Sequence, residues 1–180
     1  MARVGNERGI RGGFALLELM IAVGLLTLTV GAIAMALGSL KSLSRSSEER
    51  AIAQQAVQGV IEEIRATEPG EVFARFNSTV ADDLDPDDPG DRFAIRGLNP
   101  LPTDADGFVG RITFPGDGVE LREDFDDVEL GMRRDLNGDG QIDGVDRAGS
   151  YTVLPLRVSA EWGGKGGWQR LDVVFVVTNR

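Results

Sequence analysis

Hydrophobic positions follow three different patterns along this chain. Between 14 and 40 they are almost continuous, with Glu18 the single charge in 27 residues. As a helix that stretch is roughly 40 Å long, more than the roughly 30 Å hydrocarbon core of a bilayer. Small residues (Gly24, Gly31, Gly38, Ala22, Ala32, Ala36) are spread through it, and small residues let apolar helices approach closely. Between 41 and 65 the pattern becomes periodic. Ile52, Ala56, Val60 and Ile64 form one i, i+4 row and Ala53, Val57 and Ile61 the next, with Glu48, Glu49, Gln54, Gln55, Gln58, Glu62 and Glu63 opposite. Two adjacent rows make one apolar stripe. No proline interrupts the run before Glu68-Pro69-Gly70, where a helix must stop. The expectation is one long helix, apolar over 14–40 and amphipathic over 41–68.

The third pattern is β-like and fills the C-terminal part. The strongest pair of strands is 151–162 and 168–178, each rich in β-branched residues and partly alternating, joined by Gly163-Gly164-Lys165-Gly166-Gly167. Glycines between two such runs read as a hairpin turn. Trp162 and Trp168 flank that turn and are expected to face each other across the strands. Shorter candidates lie at 107–114, 119–121 and 128–132. The segment 82–91 holds six aspartates and two prolines and reads as a solvated loop. One helix followed by an antiparallel sheet gives an α+β fold. The predicted domains are a polar leader (1–13), a membrane half-helix (14–40), an amphipathic half-helix (41–68) and a β-rich globular domain (69–180).

Composition narrows the chemistry. The 180 residues include no cysteine and no histidine. Disulfides and thiolates are excluded, and so are the commonest general base and zinc ligand. An enzyme is not expected. The net charge is −10, so nucleic acid is not an expected partner. Arg3, Arg8 and Arg11 precede the apolar run and Lys41, Arg45 and Arg50 follow it, which leaves its orientation open by charge alone.

Two segments carry candidate chemistry. In Gly13-Phe14-Ala15-Leu16-Leu17-Glu18 a glycine closes the basic leader and a glutamate occupies the fifth position of the apolar helix. A charged residue costs on the order of 2.5–3.5 kcal/mol at mid-helix on insertion scales, acids at the lower part, so a partner for this buried carboxylate is expected. Cleavage after Gly13 would give Phe14 a free ammonium, which Glu18 of a neighbouring copy would neutralise. Two alternatives stay open: a secretory signal cut near Ala32-Ile33-Ala34 or Ala34-Met35-Ala36, and a plain signal anchor. The second segment, 135–146, places oxygen donors at loop positions 1, 3, 5, 9 and 12, with glycine at 6. Asp135, Asn137, Asp139, the Gln141 carbonyl, Asp143 and Asp146 thus have the spacing that wraps one hard cation, and a structural Ca2+ is expected. Asn77-Ser78-Thr79 matches the glycosylation pattern by composition alone.

RGGFALLELMIAVGLLTLTVGAI resembles the class III signal of type IV prepilins and type II secretion pseudoprepilins. The resemblance implies cleavage after Gly13 by a prepilin peptidase on the cytoplasmic face, N-methylation of Phe14, and use of Glu18 in subunit docking. Leu17 stands where that family commonly has threonine. The segment 54–65 and the closing hairpin are similar to V-type minor pilins and I-type minor pseudopilins. The resemblance therefore implies a minor subunit of a type IV pilus or type II secretion pseudopilus. Such a chain is held by a single pass in the bacterial inner membrane, its C-terminal domain in the periplasm, until it joins other pilin or pseudopilin subunits in the filament. The loop 135–146 resembles dockerin loops, without their duplicated helices. The alternatives are a bitopic membrane-anchored calcium-binding adhesion or sensor domain, and a tethered enzyme using carboxylates and a divalent ion.

Overall fold

The computed structural model describes residues 11–79, 90–104, 106–164 and 167–179. Most of the leader and nearly all of the 82–91 loop lie outside them. The chain forms two compact units, Met1–Ser44 and Arg45–Arg180. Helix α1 spans Arg11–Ala66, so the change of pattern near 40 is a change of surface and not a break in the backbone.

In the second unit the amphipathic end of α1 packs on a sheet. Ala53, Val57, Ile61 and Ile64 are fully buried, and Ile52, Ala56 and Val60 are partly covered. The predicted stripe is therefore the buried one, centred on its second row. Thr67 ends the helix: its N–H donates to the Glu63 and Ile64 carbonyls and its hydroxyl to Glu63. Pro69 has no N–H with which to continue. A one-turn helix α2, Val72–Phe76, follows. It was not foreseen, because five residues are too few to show a helical period. It buries Val72, Phe73 and Phe76, and Phe73 meets the ring edge of Phe114 at 5.2 Å between centroids. Tyr151 pins this corner, donating its hydroxyl to the Pro69 carbonyl and accepting the Phe73 N–H.

The sheet has four antiparallel strands in the order β1-β2-β3-β4: Arg92–Phe93, Gly110–Thr113, Val153–Gly164 and Gly167–Thr178. Alternation along β3 turns Leu154, Leu156, Val158, Ala160 and Trp162 into the core. Arg157 and Glu161, on the other face, are half-buried. The hairpin register pairs Gly164 with Gly167, so three of the predicted turn glycines belong to the ladder. That register corrects one expectation. Trp162 faces Gln169, and Trp168 faces Gly163. Side chains alternate with period two, so the two tryptophans lie on opposite faces. Trp162 is 2% exposed and Trp168 57%.

The strand expected at 107–114 is β2, shortened to four residues. Those expected at 119–121 and 128–132 do not form. Leu121 makes one isolated bridge to Gly116. Near 128 the Asp127 carboxylate takes the amides of Glu129 and Leu130, and its carbonyl takes that of Met132. A local carboxylate thus competes for the donors a strand would need. Gly110 has a close-packing reason: a Cβ there would lie inside the Phe93 ring.

Candidate functional site: an uncovered apolar helix and an arginine-closed loop

In the first unit, the side chains of α1 from Leu16 to Leu43 are exposed apart from half-covered Gly31. By length and composition this helix is able to cross a membrane, with a mean hydropathy of 2.3 in its most apolar window. Its hydroxyls are satisfied within the helix: Thr27 donates to Gly24, Thr29 to Leu26, Ser39 to Met35 and Ser42 to Ser39. Each bond removes a polar group that would be costly in hydrocarbon. Glu18 is the exception. It is exposed, and among the described residues no cation pairs with it. Gly13 and Phe14 lie in the first turns of α1, with side chains outside those described.

The loop 135–146 belongs to the second unit. Gly138 and Gly140 have φ of +81° and +82°, a conformation that favours glycine. They wrap the chain about Asp135, whose two carboxylate oxygens accept their amides at 2.6 and 2.7 Å. Asn137 accepts the Asp139 amide, Asp139 that of Gln141, and Asp143 that of Val145. The Asn137 side-chain amide also donates to Asp139, which is the main cause of that acid's lowered pKa. Asp139 and Asp143 converge on one guanidinium: Arg147 Nη2 lies 3.5 Å from Asp139 Oδ2 and 2.9 Å from Asp143 Oδ2. Asp146 does not join them, because its Oδ1 accepts the Leu121 and Ala148 amides at 3.0 Å each. Gln141 is exposed.

Two residues that the spacing does not disclose organise this loop. Glu123 is wholly buried. Its Oε1 accepts the amides of Leu136 (2.8 Å) and Asn137 (3.3 Å), and its Oε2 that of Asp143 (3.4 Å). Arg147 Nε lies 3.6 Å from the same Oε1, and the Arg147 side chain is 13% exposed. Every oxygen in the predicted set is hard and suits calcium chemically. Two of the set, Asp139 and Asp143, close on Arg147, and among the described residues no three acidic side chains are disposed around a metal position.

A cleft of about 390 Å³ opens on the sheet face away from α1, between Leu101–Gly110 and β3. Its arginines are all paired: Arg111 with Asp106, Arg157 with Asp127 and Glu129, Arg170 with Glu161 and Asp172. Asn77 of the glycosylation pattern is buried, and its side-chain oxygen accepts the Thr79 amide.

No family model matches the chain, and comparisons with curated proteins and with solved structures gave no match. A long N-terminal apolar helix whose far end packs on an antiparallel sheet is compatible with a pilin-like fold.

Proposed function

We propose that this chain is a structural minor subunit of a type IV pilus or type II secretion pseudopilus. The observation that carries the reading is the surface of α1: exposed apolar side chains from Leu16 to Leu43, internally satisfied hydroxyls, and one unpaired acid at Glu18. Such a rod is at home in lipid or in a bundle of its own kind, and the acid selects a partner that offers a cation. In this reading a prepilin peptidase cuts after Gly13, and Phe14 becomes the methylated N-terminus. The chain waits as a single-pass protein of the bacterial inner membrane with the unit Arg45–Arg180 in the periplasm. Assembly then sets Glu18 of one copy against the Phe14 amine of another pilin or pseudopilin subunit. Mass analysis of the mature protein is expected to find N-methylated Phe14 at its start. A chain beginning at Met1, or near Ala36, would overturn the reading.

Calcium belongs to the same proposal, as a structural ion. Asp135, Asn137, Asp139, Asp143 and the Gln141 carbonyl would hold it, and Asp146 would join only by leaving the Leu121 and Ala148 amides. A divalent ion there would neutralise acids that Arg147 now serves. Extracellular modules of this kind bind at about 10⁻⁴–10⁻³ M. With Kd about 10⁻⁴ M, calcium at about 1 mM stabilises by about 1.4 kcal/mol. That corresponds to a Tm increase of roughly 3–6 °C, reversed by chelator. Arg147→Gln is expected to enlarge the calcium shift, since it removes the competing cation. No shift in either protein would exclude calcium from the loop.

A further inference from the structure

Across the outer face of the sheet Arg111 faces Ser159, Thr113 faces Arg157, and Glu161 faces Arg170. Directly opposed residues share a face, and their neighbours Ile112, Val158 and Ala160 point into the core. These six side chains floor the cleft of about 390 Å³, and Thr103, Asp104, Asp106 and Phe108 wall it. The volume lies within the range of about 300–1,000 Å³ that small-molecule sites occupy.

Three arginines meet three acids in this cleft, and their charges are largely satisfied already. Asp106 Oδ2 lies 3.0 Å from Arg111 Nη2 and 3.1 Å from Arg92 Nη1, while its Oδ1 accepts the Phe108 amide at 2.9 Å. Arg170 Nε lies 2.7 Å from Asp172 and 3.4 Å from Glu161. Arg157 is held by Asp127 and Glu129. An ionic ligand would have to break one of these pairs to make its own, and a neutral one would not. What the cleft still offers is hydrogen-bonding capacity. Among the described residues the Thr103 and Thr113 hydroxyls make no hydrogen bond, Asp104 has no cation, and Arg111 uses only Nη2. A guanidinium and a carboxylate each have several further positions to fill, and bonds to them are charge-assisted. Beside these groups the Phe108 side chain is 41% exposed, apolar surface that gains by being covered.

We propose that this cleft binds a short neutral saccharide. Ring hydroxyls donate to Asp104 and accept from Arg111 and the two threonines, and no ion pair is displaced. The C–H face of a sugar ring packs on Phe108. The existing pairs fix Arg111, Arg157 and Arg170 before the ligand arrives, so little side-chain freedom is lost on binding.

The test is a ligand-observed NMR titration of the purified full-length chain, in a detergent without a sugar headgroup. The probes are three neutral disaccharides: diacetylchitobiose, cellobiose and maltose. At least one is expected to bind with Kd of about 1 mM or tighter. A rise in salt of about tenfold should shift that Kd by less than about twofold, because a neutral ligand is not screened. Phe108→Ala should weaken binding at least tenfold and Phe108→Tyr should retain it; the side chain is exposed, so neither change reaches the core. Thr113→Val removes one hydroxyl at nearly constant shape and should weaken binding severalfold. No binding of any probe up to about 10 mM would overturn the proposal, as would binding that Phe108→Ala leaves unchanged. Preference for the dipeptide Lys-Glu, with a steep salt dependence, would also overturn it and mark a site for charged peptide. The outcome does not depend on the fibre reading, because a chain never methylated at Phe14 would bind the sugar equally.

Discussion

Glu18→Gln is expected to leave the chain in the membrane at its normal level and to lower its content in the proposed fibre at least tenfold. The two halves of that expectation have separate causes. Insertion of α1 depends on apolar length, and a neutral amide costs less in hydrocarbon than a carboxylate. Membrane content therefore has no reason to fall. Incorporation depends on charge. Among the described residues Glu18 lacks a cation, and an amine brought by a neighbour in a low-dielectric bundle is worth far more than a surface pair. Glutamine keeps the shape and removes that attraction. Glu18→Asp, with the charge kept on a shorter arm, should fall between the two. The measurement is an immunoblot of sheared filament and membrane fractions from the same cells. Normal filament content with glutamine at 18 would mean that the acid is incidental, and the assembly mechanism would lose its specific contact.

The parts of the fold legible in the sequence are those with a sustained period. The stripe through Ala53, Val57 and Ile61 and the alternation from Leu154 to Trp162 repeat often enough to name both the element and its buried face. Glycine between two β-branched runs located the hairpin, but not its register. Which glycines pair is decided by a difference of one residue, and that difference sends Trp162 inward and Trp168 outward. Helix α2 and strand β1 are too short for a helical or strand pattern to repeat.

The irregular stretch between β2 and β3 was the least legible, because side chains hold it rather than a backbone ladder. Asp117 takes the amides of Val119 and Glu120, Asp127 those of Glu129 and Leu130, and Asp135 those of Gly138 and Gly140. Much of the acidity of this chain thus serves as a set of local acceptors. An aspartate whose job is to cap two amides is indistinguishable in sequence from one that awaits a metal. That is why the loop at 135–146 was found by its spacing, while its organisers, Glu123 and Arg147, were not. Asp146 shows the same ambiguity from the other side, since it has the right position in the pattern and a different partner in space.

Glu123→Ala is expected to be the most damaging single change in the unit Arg45–Arg180. The side chain is fully buried. Truncation removes the acceptor of three amides, from Leu136, Asn137 and Asp143, and leaves the largely buried Arg147 without its innermost acid. Breaking a buried pair by deleting one partner costs about 3–5 kcal/mol, and unpaired buried donors add to that. Leu136, also fully buried, would lose its anchor at the same time. At roughly 3–4 °C per kcal/mol for a unit of this size, Tm should fall by roughly 10–20 °C. Glu123→Gln keeps an oxygen acceptor and gives up the charge, so its loss should be clearly smaller. Thermal melts of the purified full-length protein in detergent, with chelator present, measure both. An alanine variant that melts within a few degrees of the parent would show that Arg147 and its aspartates hold the loop without Glu123.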